Sequence, residues 1–399
     1  MIEAWGLELA KGIGKLFLNP ITYWIVVLLA FAGVRRIRRE RNNFGVKLAD
    51  AFSELKGTGL ISMVGGILVS VICLGVGIVF SYETLALVCL ITVLLSLSFR
   101  FTMLSASYTI GLTLLLLLFM PTLIKNQSYI DSTLFNDINF VGVSILLGLF
   151  LILEGISTFR IRQTETYPDL ALGSRGKWEG LHHIKKLNII PFFTLVPTGL
   201  ISPFAAYWPY ISIGGEAYSL VLFPFLIGFD HAVKGVLPEV ASKQIGKKVG
   251  VLGLVVLLFA AGSMYLWSLS IVAAVVAIFG REYIGYRHRV NDSGRKSIYG
   301  RNERGLTVIA IIPNTPAERL GIHIGETVYK VNGQAIRDVS EFYKLLQKSG
   351  AFFKLEVLDV SGEIRLLQSA FYQNDHYELG LVFVKDKYRS SEKELSQAK

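Results

Sequence analysis

The stretch IPNTPAERLGIHIGETVYKVNG, residues 312–333, decides the fold of the C-terminal part of the chain. Thr315 is suited to cap a short helix, and Pro316 takes its first position, where a missing N–H costs nothing. Gly321 suits the left-handed residue that ends such a helix. The stretch closes on Asn332-Gly333, the strongest short signal for a β-hairpin. It therefore predicts a short helix followed by a strand and a tight turn.

The residues around this stretch continue the pattern. Val328–Val331 is the strand that enters the turn, and a second helix is predicted over residues 339–348. Asp338 is placed to cap that helix, with Glu341 three residues on as in a capping box. Two further strands are predicted at 354–358 and 363–367, around a Ser361-Gly362 turn.

This order of elements, over Arg304–Val384, resembles a PDZ domain with the permuted strand order of bacterial members. Such a domain binds a peptide as an added strand at an open sheet edge beside a helix. The resemblance implies that a Φ-Gly-Φ loop holds the terminal carboxylate of the peptide. A second loop of this type, Ile284-Gly285-Tyr286, abuts the last apolar run and is the less favoured choice. The predicted groove residues, of which some helix positions must face the core, are Leu379, Gly380 and Leu381 on the loop and Phe342, Leu345 and Leu346 on the helix.

The rest of the chain has the composition of a membrane protein. The chain has 399 residues, of which 52% are hydrophobic and only 18% charged, less charge than a soluble protein of this size carries. Several apolar runs approach the ~20 residues that cross a bilayer. The run 249–280 is longer, and charge placement favours two short spans that turn near Ser263-Met264-Tyr265. The other predicted spans are 17–34, 60–80, 84–99, 102–124, 139–157, 187–207 and 217–233.

Basic residues indicate which loops face the cytoplasm. Lys and Arg cluster in loops 35–56, 158–186 and 234–248, whereas the loops between them carry almost none, which is the positive-inside pattern. Segment 281–303 is also basic, so we predict a cytoplasmic linker there. By parity the N-terminus lies outside, unless residues 2–16 form an interfacial segment. This placement accounts for the net charge of +10 without a nucleic-acid partner.

The predicted fold is a polytopic α-helical membrane domain followed by a small α+β PDZ-like domain. The membrane domain, residues 1–280, is expected to have about eight or nine spans. The linker 281–303 leads to the PDZ-like domain at 304–384. The charged tail 385–399 lacks apolar periodicity and is expected to be disordered.

The sequence contains no motif for catalysis. An intramembrane metalloprotease needs His-Glu-x-x-His, which is absent, and His182-His183 is typical of a basic loop. Asp230-His231 is interpreted as a polar pair at the interface beside Lys234. Glu154, inside an apolar run, is the best candidate for a transport path. A carboxylate that snorkels to the interface near Arg160 explains it equally well. We expect no enzyme activity, no cofactor and no metal; the alternative is a PDZ-regulated membrane sensor or transporter-like protein.

Three segments resemble the MinJ family of polytopic division-site proteins of Gram-positive rods. They are Trp5–Leu9 with the basic run 35–41 after the first span, the junction Tyr286–Arg289, and the PDZ block with Gly321–Thr327 and Glu378–Leu381. The resemblance implies a non-enzymatic scaffold of the cell membrane, enriched at septa and poles. It would bridge the polar protein DivIVA to MinD, the membrane ATPase that restrains FtsZ ring assembly, and contact membrane proteins of the divisome.

Overall fold

The computed structural model describes residues 2–124, 137–173, 178–205, 207–211, 217–300, 304–350, 352–370 and 379–384, with the single positions 135 and 176. The predicted tail and Glu378 lie outside these residues. The helices are α1 (Ile2–Leu18), α2 (Pro20–Phe44), α3 (Gly59–Val76), α4 (Tyr82–Ser96), α5 (Ala106–Ile124), α6 (Phe140–Phe159), α7 (Pro238–Gly262), α8 (Leu269–Ser293), α9 (Pro316–Arg319) and α10 (Val339–Lys348). The strands are β1 (Tyr167–Leu172), β2 (Trp178–Ile201), β3 (Tyr218–Val233), β4 (Leu306–Ile311), β5 (Thr327–Val331), β6 (Gln334–Ala335), β7 (Phe352–Leu358), β8 (Ile364–Ala370) and β9 (Leu381–Phe383).

Among the described residues, six helices are long and apolar enough to cross a membrane: α2, α3, α5, α6, α7 and α8. A seventh apolar helix, α4, is shorter. The prediction of two helices within 249–280 is confirmed, because α7 ends at Gly262 and α8 begins at Leu269. Each has 25 residues and is therefore about 37 Å long. The two helices begin before and end after the apolar run 249–280, so they are longer than the short spans predicted from it.

The prediction of helical spans at 187–207 and 217–233 is wrong. Most of each run lies in a strand, β2 up to Ile201 and β3 from Tyr218, and these strands pair antiparallel from His182↔Val233 to Pro197↔Tyr218. The runs are rich in proline and aromatic residues, and a proline inside a helix removes a hydrogen bond and clashes with the preceding turn. At about 3.3 Å per residue, residues 187–197 extend over about 36 Å, which exceeds the ~30 Å of a bilayer's hydrocarbon core.

Helices and loops cover both edges of this hairpin. On the β2 side, the Phe193 N–H donates to Ser70 Oγ of α3 at 2.8 Å, and the Phe80 N–H donates to the Leu195 carbonyl at 2.9 Å. On the β3 side, the Lys15 ammonium of α1 donates to Ser219 Oγ at 2.6 Å. Exposed backbone polar groups are not tolerated in hydrocarbon and occur at that depth only inside protein. The bundle therefore encloses the hairpin as its core.

The connections between the helices and strands of this bundle lie at its two opposite ends. At one end, the ring of Trp5 lies 6.0 Å from that of Trp208, in the connection between β2 and β3. Phe140, at the start of α6, lies 6.2 Å from Trp267 in the α7–α8 turn at this same end. The other end carries the base of the hairpin and the PDZ-like domain. The N-terminal helix α1 thus begins at the end opposite to that domain.

The PDZ-like domain forms one sheet with the strand order β8-β7-β5-β4-β9, and β6 pairs with β5. The predicted turn is confirmed, because Asn332 and Gly333 both have positive φ (50° and 81°), as a type I′ hairpin requires. Gly321 is left-handed at φ 67°. Two predicted side-chain caps are wrong: the Thr315 hydroxyl donates to the Ile312 carbonyl, and Asp338 makes no cap bond to its helix.

Segment 281–303 is not a free tether over its described length. Helix α8 continues to Ser293, so the second candidate loop at 284–286 is helical and cannot act as a carboxylate-binding loop. Beyond the helix, the Ile298 N–H donates to the Lys234 carbonyl at 2.9 Å, and Tyr299 is fully buried. The chain between bundle and domain is therefore packed against both.

Candidate functional site

The last strand and the second helix of the PDZ-like domain form the two sides of the predicted groove. Strand β9 lies at the end of the sheet order, beside β4, as the permuted arrangement predicts. Helix α10 lies next to it, with the rings of Phe342 and Phe383 5.2 Å apart. The Tyr343 hydroxyl lies 3.5 Å from the Leu381 carbonyl, at the limit of a hydrogen bond. The elements that a bound strand requires are therefore adjacent.

The side chains named from the sequence do not all line this groove. Phe342, Leu346, Leu379 and Leu381 are buried in the core of the domain. Leu345 is half-buried and is the helix position of the predicted set that reaches the surface. Hydrophobic periodicity alone could not separate these positions, because the apolar residues of α10 form one wide face that includes both core positions and its half-buried margin. The assignment of the groove remains a prediction for which Leu345 is the best marker.

Gly380 has a role in the fold of the loop itself. Its φ of 83° is left-handed, and a Cβ at this position would lie 2.2 Å from Thr315 Oγ1. Its carbonyl accepts the Ile312 N–H at 2.8 Å. A side chain here, as in Gly380→Asp, would strain the loop as well as block a ligand. This position is therefore a poor choice for a test of binding alone.

The opposite face of the domain packs against the β1–β2 hairpin. The Ile309 carbonyl lies 2.9 Å from His182 Nε2, and the Gly180 N–H donates to the Tyr299 carbonyl at 3.2 Å. A Cβ at Gly180 would lie 2.5 Å from Ile309 Cδ1 and 2.9 Å from a Val384 methyl group. Burial lowers the pKa of His182 to about 4 and keeps it neutral. The histidine pair, predicted as a basic loop, is thus part of a strand at a tight interface.

The remaining polar candidates are joined in pairs across the bundle. Glu154 does not snorkel toward Arg160: it is fully buried and forms an ion pair with Arg281 at 3.0 Å. Arg281 also lies 3.1 Å from His231 Nε2. Asp230 lies 2.8 Å from His183 Nδ1 rather than beside Lys234. No sequence pattern indicates these pairs, because their members are far apart along the chain.

His183 holds two carboxylates at the base of the hairpin. Its Nε2 lies 3.3 Å from Asp169, and its Nδ1 contacts Asp230. Burial opposes its protonation, but the hydrogen bonds to the two carboxylates outweigh burial and raise the pKa of His183 to about 9. At neutral pH the group is therefore a cation between two anions. Among the described residues, no group of three or more His, Cys, Asp or Glu could hold a metal ion.

Comparison with known proteins identifies the family. Residues 307–358 match the PDZ domain family. The chain is 34% identical over 389 residues to the cell division topological determinant MinJ of Bacillus subtilis (strain 168), covering 97% of each chain. It belongs to the MinJ family. Proteins named probable MinJ in Lacticaseibacillus paracasei and Lacticaseibacillus casei (strain BD-II) are 22% identical over 384 residues, with 92% of this chain covered.

Membership of the MinJ family explains the pairing of the two parts described above. The named relatives are cell division topological determinants, and this chain combines apolar helices typical of a multi-pass membrane protein with a PDZ domain. In this member of the MinJ family, that domain is fixed to the base of the buried hairpin. The name and the domain point to a division factor that works by protein contacts.

Proposed function

We propose that this protein is a non-enzymatic scaffold that places the division-site selection system at poles and septa. It would bridge a DivIVA-like polar protein to a MinD-like ATPase and contact membrane proteins of the divisome. Its PDZ domain would lie in the cytoplasm and supply at least one of these contacts. The observation that carries the proposal is an edge strand, β9, beside α10 in a chain that matches a division determinant over 97% of its length.

The charge distribution supports the cytoplasmic position of the PDZ domain. Arg35, Arg36, Arg38 and Arg39 follow the apolar part of α2, at the end of the bundle where the domain packs. Loops rich in Lys and Arg stay in the cytoplasm. A reporter that functions only in the cytoplasm is expected to be active when it is fused after Lys399. Activity of a reporter that functions only outside the membrane would contradict the contact with MinD-like and DivIVA-like proteins.

The groove contact is tested with two matched variants of α10. Leu345→Glu introduces a charge at a half-buried position of α10, whereas Gln347→Glu introduces the same charge at an exposed position of this helix. The full-length proteins are expressed with the DivIVA-like and MinD-like proteins of the same organism, and capture is measured by co-purification from membranes. Leu345→Glu is expected to reduce the capture of one partner by about tenfold or more, since a charge buried in an apolar contact is costly. Gln347→Glu is expected to capture both partners normally.

Two outcomes would contradict different parts of this proposal. If both variants capture both partners as the unmodified protein does, the groove is not the contact and the bridge is formed elsewhere. If the unmodified protein captures neither partner and a fluorescent fusion spreads evenly over the membrane, the scaffold function itself is wrong. Thermal unfolding of each purified variant shows whether a loss of capture comes from a loss of folding.

A further inference from the structure

A cavity of about 470 Å³ lies at the end of the bundle that carries the PDZ domain. Its wall is formed by α2, the connection between α4 and α5, the base of the hairpin and α8. The volume falls within the ~300–1,000 Å³ typical of small-molecule sites. Along α2 the wall changes from apolar at Ala32 to basic at Arg35, Arg36 and Arg39. The cavity therefore lies where an apolar span meets a polar boundary.

The wall of the cavity carries more cations than anions. Its cations are Arg35, Arg36, Arg39, Arg100, Lys185, Arg281 and Arg289, and its carboxylates are Glu40, Asp169, Asp230 and Glu282. His183 adds a further positive charge near neutral pH, because its hydrogen bonds to two carboxylates raise its pKa to about 9 despite burial. The surplus of positive charge favours an anionic ligand.

The carboxylates of the cavity wall already interact with charged groups of the protein. The excess of positive charge in the wall is therefore available to a ligand. The charged partners of these carboxylates are Arg36 Nη1 for Glu40 at 2.7 Å, Arg39 Nη1 for Asp169 at 3.0 Å, His183 Nδ1 for Asp230 at 2.8 Å, and Arg289 Nη2 for Glu282 at 3.8 Å. Each negative charge is thus offset locally.

Three cations of the wall lack such an engagement. In the described part of the chain, Arg35, Arg100 and Lys185 form no ion pair. Lys185 is half-buried in the wall, and its Nζ lies 4.2 Å from the centre of the Phe101 ring. A guanidinium or ammonium group without an internal carboxylate is a strong donor for phosphate oxygens. These three residues are the groups that a bound anion would contact.

Apolar surface adjoins the cavity on one side. Phe99 lines the cavity and stacks on Phe31 of α2, with ring centres 4.5 Å apart. Phe31 and Val34 are exposed on the outer surface of α2, which would face lipid. A ligand with a charged head and apolar chains could therefore place both parts against matching surfaces.

We propose that this cavity binds a phosphate-bearing anion. Two sources share this chemistry: the head group of an anionic phospholipid and a soluble phosphate compound. The adjoining apolar surface favours the lipid source, since basic pockets between membrane helices bind anionic head groups. This function is separate from the contacts of the PDZ domain and does not depend on them.

The test compares the full-length protein with a variant that removes the three unpaired cations, Arg35→Gln/Arg100→Gln/Lys185→Gln. Retention of phosphatidylglycerol, cardiolipin and zwitterionic phosphatidylcholine is measured by native mass spectrometry from detergent. A second arm measures thermal stabilisation by inorganic phosphate and by glycerol 3-phosphate. Each cation near an anionic head group is expected to change affinity by about fivefold, so the triple variant should lose roughly a hundredfold for its ligand.

The matched control is Arg38→Gln, an exposed arginine of α2 outside the cavity wall. It should retain anionic lipid as the unmodified protein does. Stabilisation by the soluble phosphates with no preference for anionic lipid would assign the site to a soluble compound. If neither source distinguishes the unmodified protein from the triple variant, the proposal is wrong. If the triple variant unfolds in the absence of ligand, the single variant Lys185→Gln is used instead. We expect its affinity for the anionic ligand to be about fivefold lower than that of the unmodified protein, and an unchanged affinity would contradict the proposal.

Discussion

Two antiparallel sheets of this molecule differ in what lies beside their edge strands. The β2–β3 hairpin lies inside a bundle of apolar helices, and side chains and backbone of α1, α3 and the segment before α4 bond to its edges. The sheet of the PDZ domain ends at β9, with α10 beside it. The first sheet is a buried support, and the second has the geometry to accept another strand.

The difference follows from the solvent around each sheet. In hydrocarbon, a backbone N–H or carbonyl without a partner costs several kcal/mol, so strands at that depth need protein on every side. In water, an edge strand is satisfied by solvent and can exchange that water for a peptide. The same local structure is therefore a closed element in one part of the chain and a docking element in the other.

The largest expected effect comes from breaking the ion pair that ties α8 to α6 beside the hairpin. Glu154→Ala leaves Arg281 buried without its carboxylate, and we expect a loss of about 3–5 kcal/mol in the free energy of unfolding. The double variant Glu154→Met/Arg281→Met should recover most of this loss, because no uncompensated charge remains. Unfolding in detergent, followed by circular dichroism, measures both. Equal stability of the single and double variants would show that the pair does not hold the bundle together.

A smaller effect is expected where α3 packs on the edge of β2. A Cβ at Gly66 would lie 2.1 Å from the Pro191 carbonyl oxygen, whereas a Cβ at Gly75 of the same helix meets nothing within 4 Å. Gly66→Val should therefore destabilise the bundle by about 2–3 kcal/mol through overpacking. Gly75→Ala should be neutral or slightly stabilising. A normal melting temperature for Gly66→Val would mean that α3 does not close this edge.

The smallest effect concerns the base of the hairpin and depends on pH. The folded state holds the pKa of His183 at about 9, above its ordinary value of 6.5, because hydrogen bonds to Asp169 and Asp230 outweigh burial. The protonated histidine therefore stabilises the fold fully below about pH 6.5, and this contribution disappears as the pH rises through 9.

The pH effect is measured as the difference in melting temperature between the unmodified protein and His183→Gln at pH 6 to 10. This difference should shrink as the pH increases, since the variant lacks the titrating group. Other groups, including Lys185 and Lys186, titrate in both proteins, so their contributions largely cancel in the difference between the two melting temperatures. A difference that is constant across this range would contradict the charged state of His183.

The sequence allowed the PDZ fold to be predicted more closely than the membrane part. Asn332-Gly333 and Gly321 require particular backbone angles, and the structure has them. Apolar runs carry less information, because a strand enclosed by helices is as hydrophobic as a helix that crosses lipid. Pro191 and Pro224, which lie opposite each other in β2 and β3, were the available sign that these runs are not helical.

Site residues were harder to predict than elements. Strand β9 does lie beside α10, with the Tyr343 hydroxyl 3.5 Å from the Leu381 carbonyl, yet the sequence could not show that Phe342 and Leu346 face the core. It also could not join Glu154 to Arg281, since pairing over 127 positions depends on how helices pack. The basic cavity draws its wall from several segments, and only the folded chain brings them together.

The tight contact of Gly180 with Ile309 has a consequence for the reach of the PDZ domain. Because the domain is fixed to the base of the hairpin, the proposed groove would stay at one height above the bundle. A partner with a short tail would then reach this groove only if the partner is anchored in the membrane close by. Rigid attachment would thus select partners by their distance from the bundle as well as by their sequence.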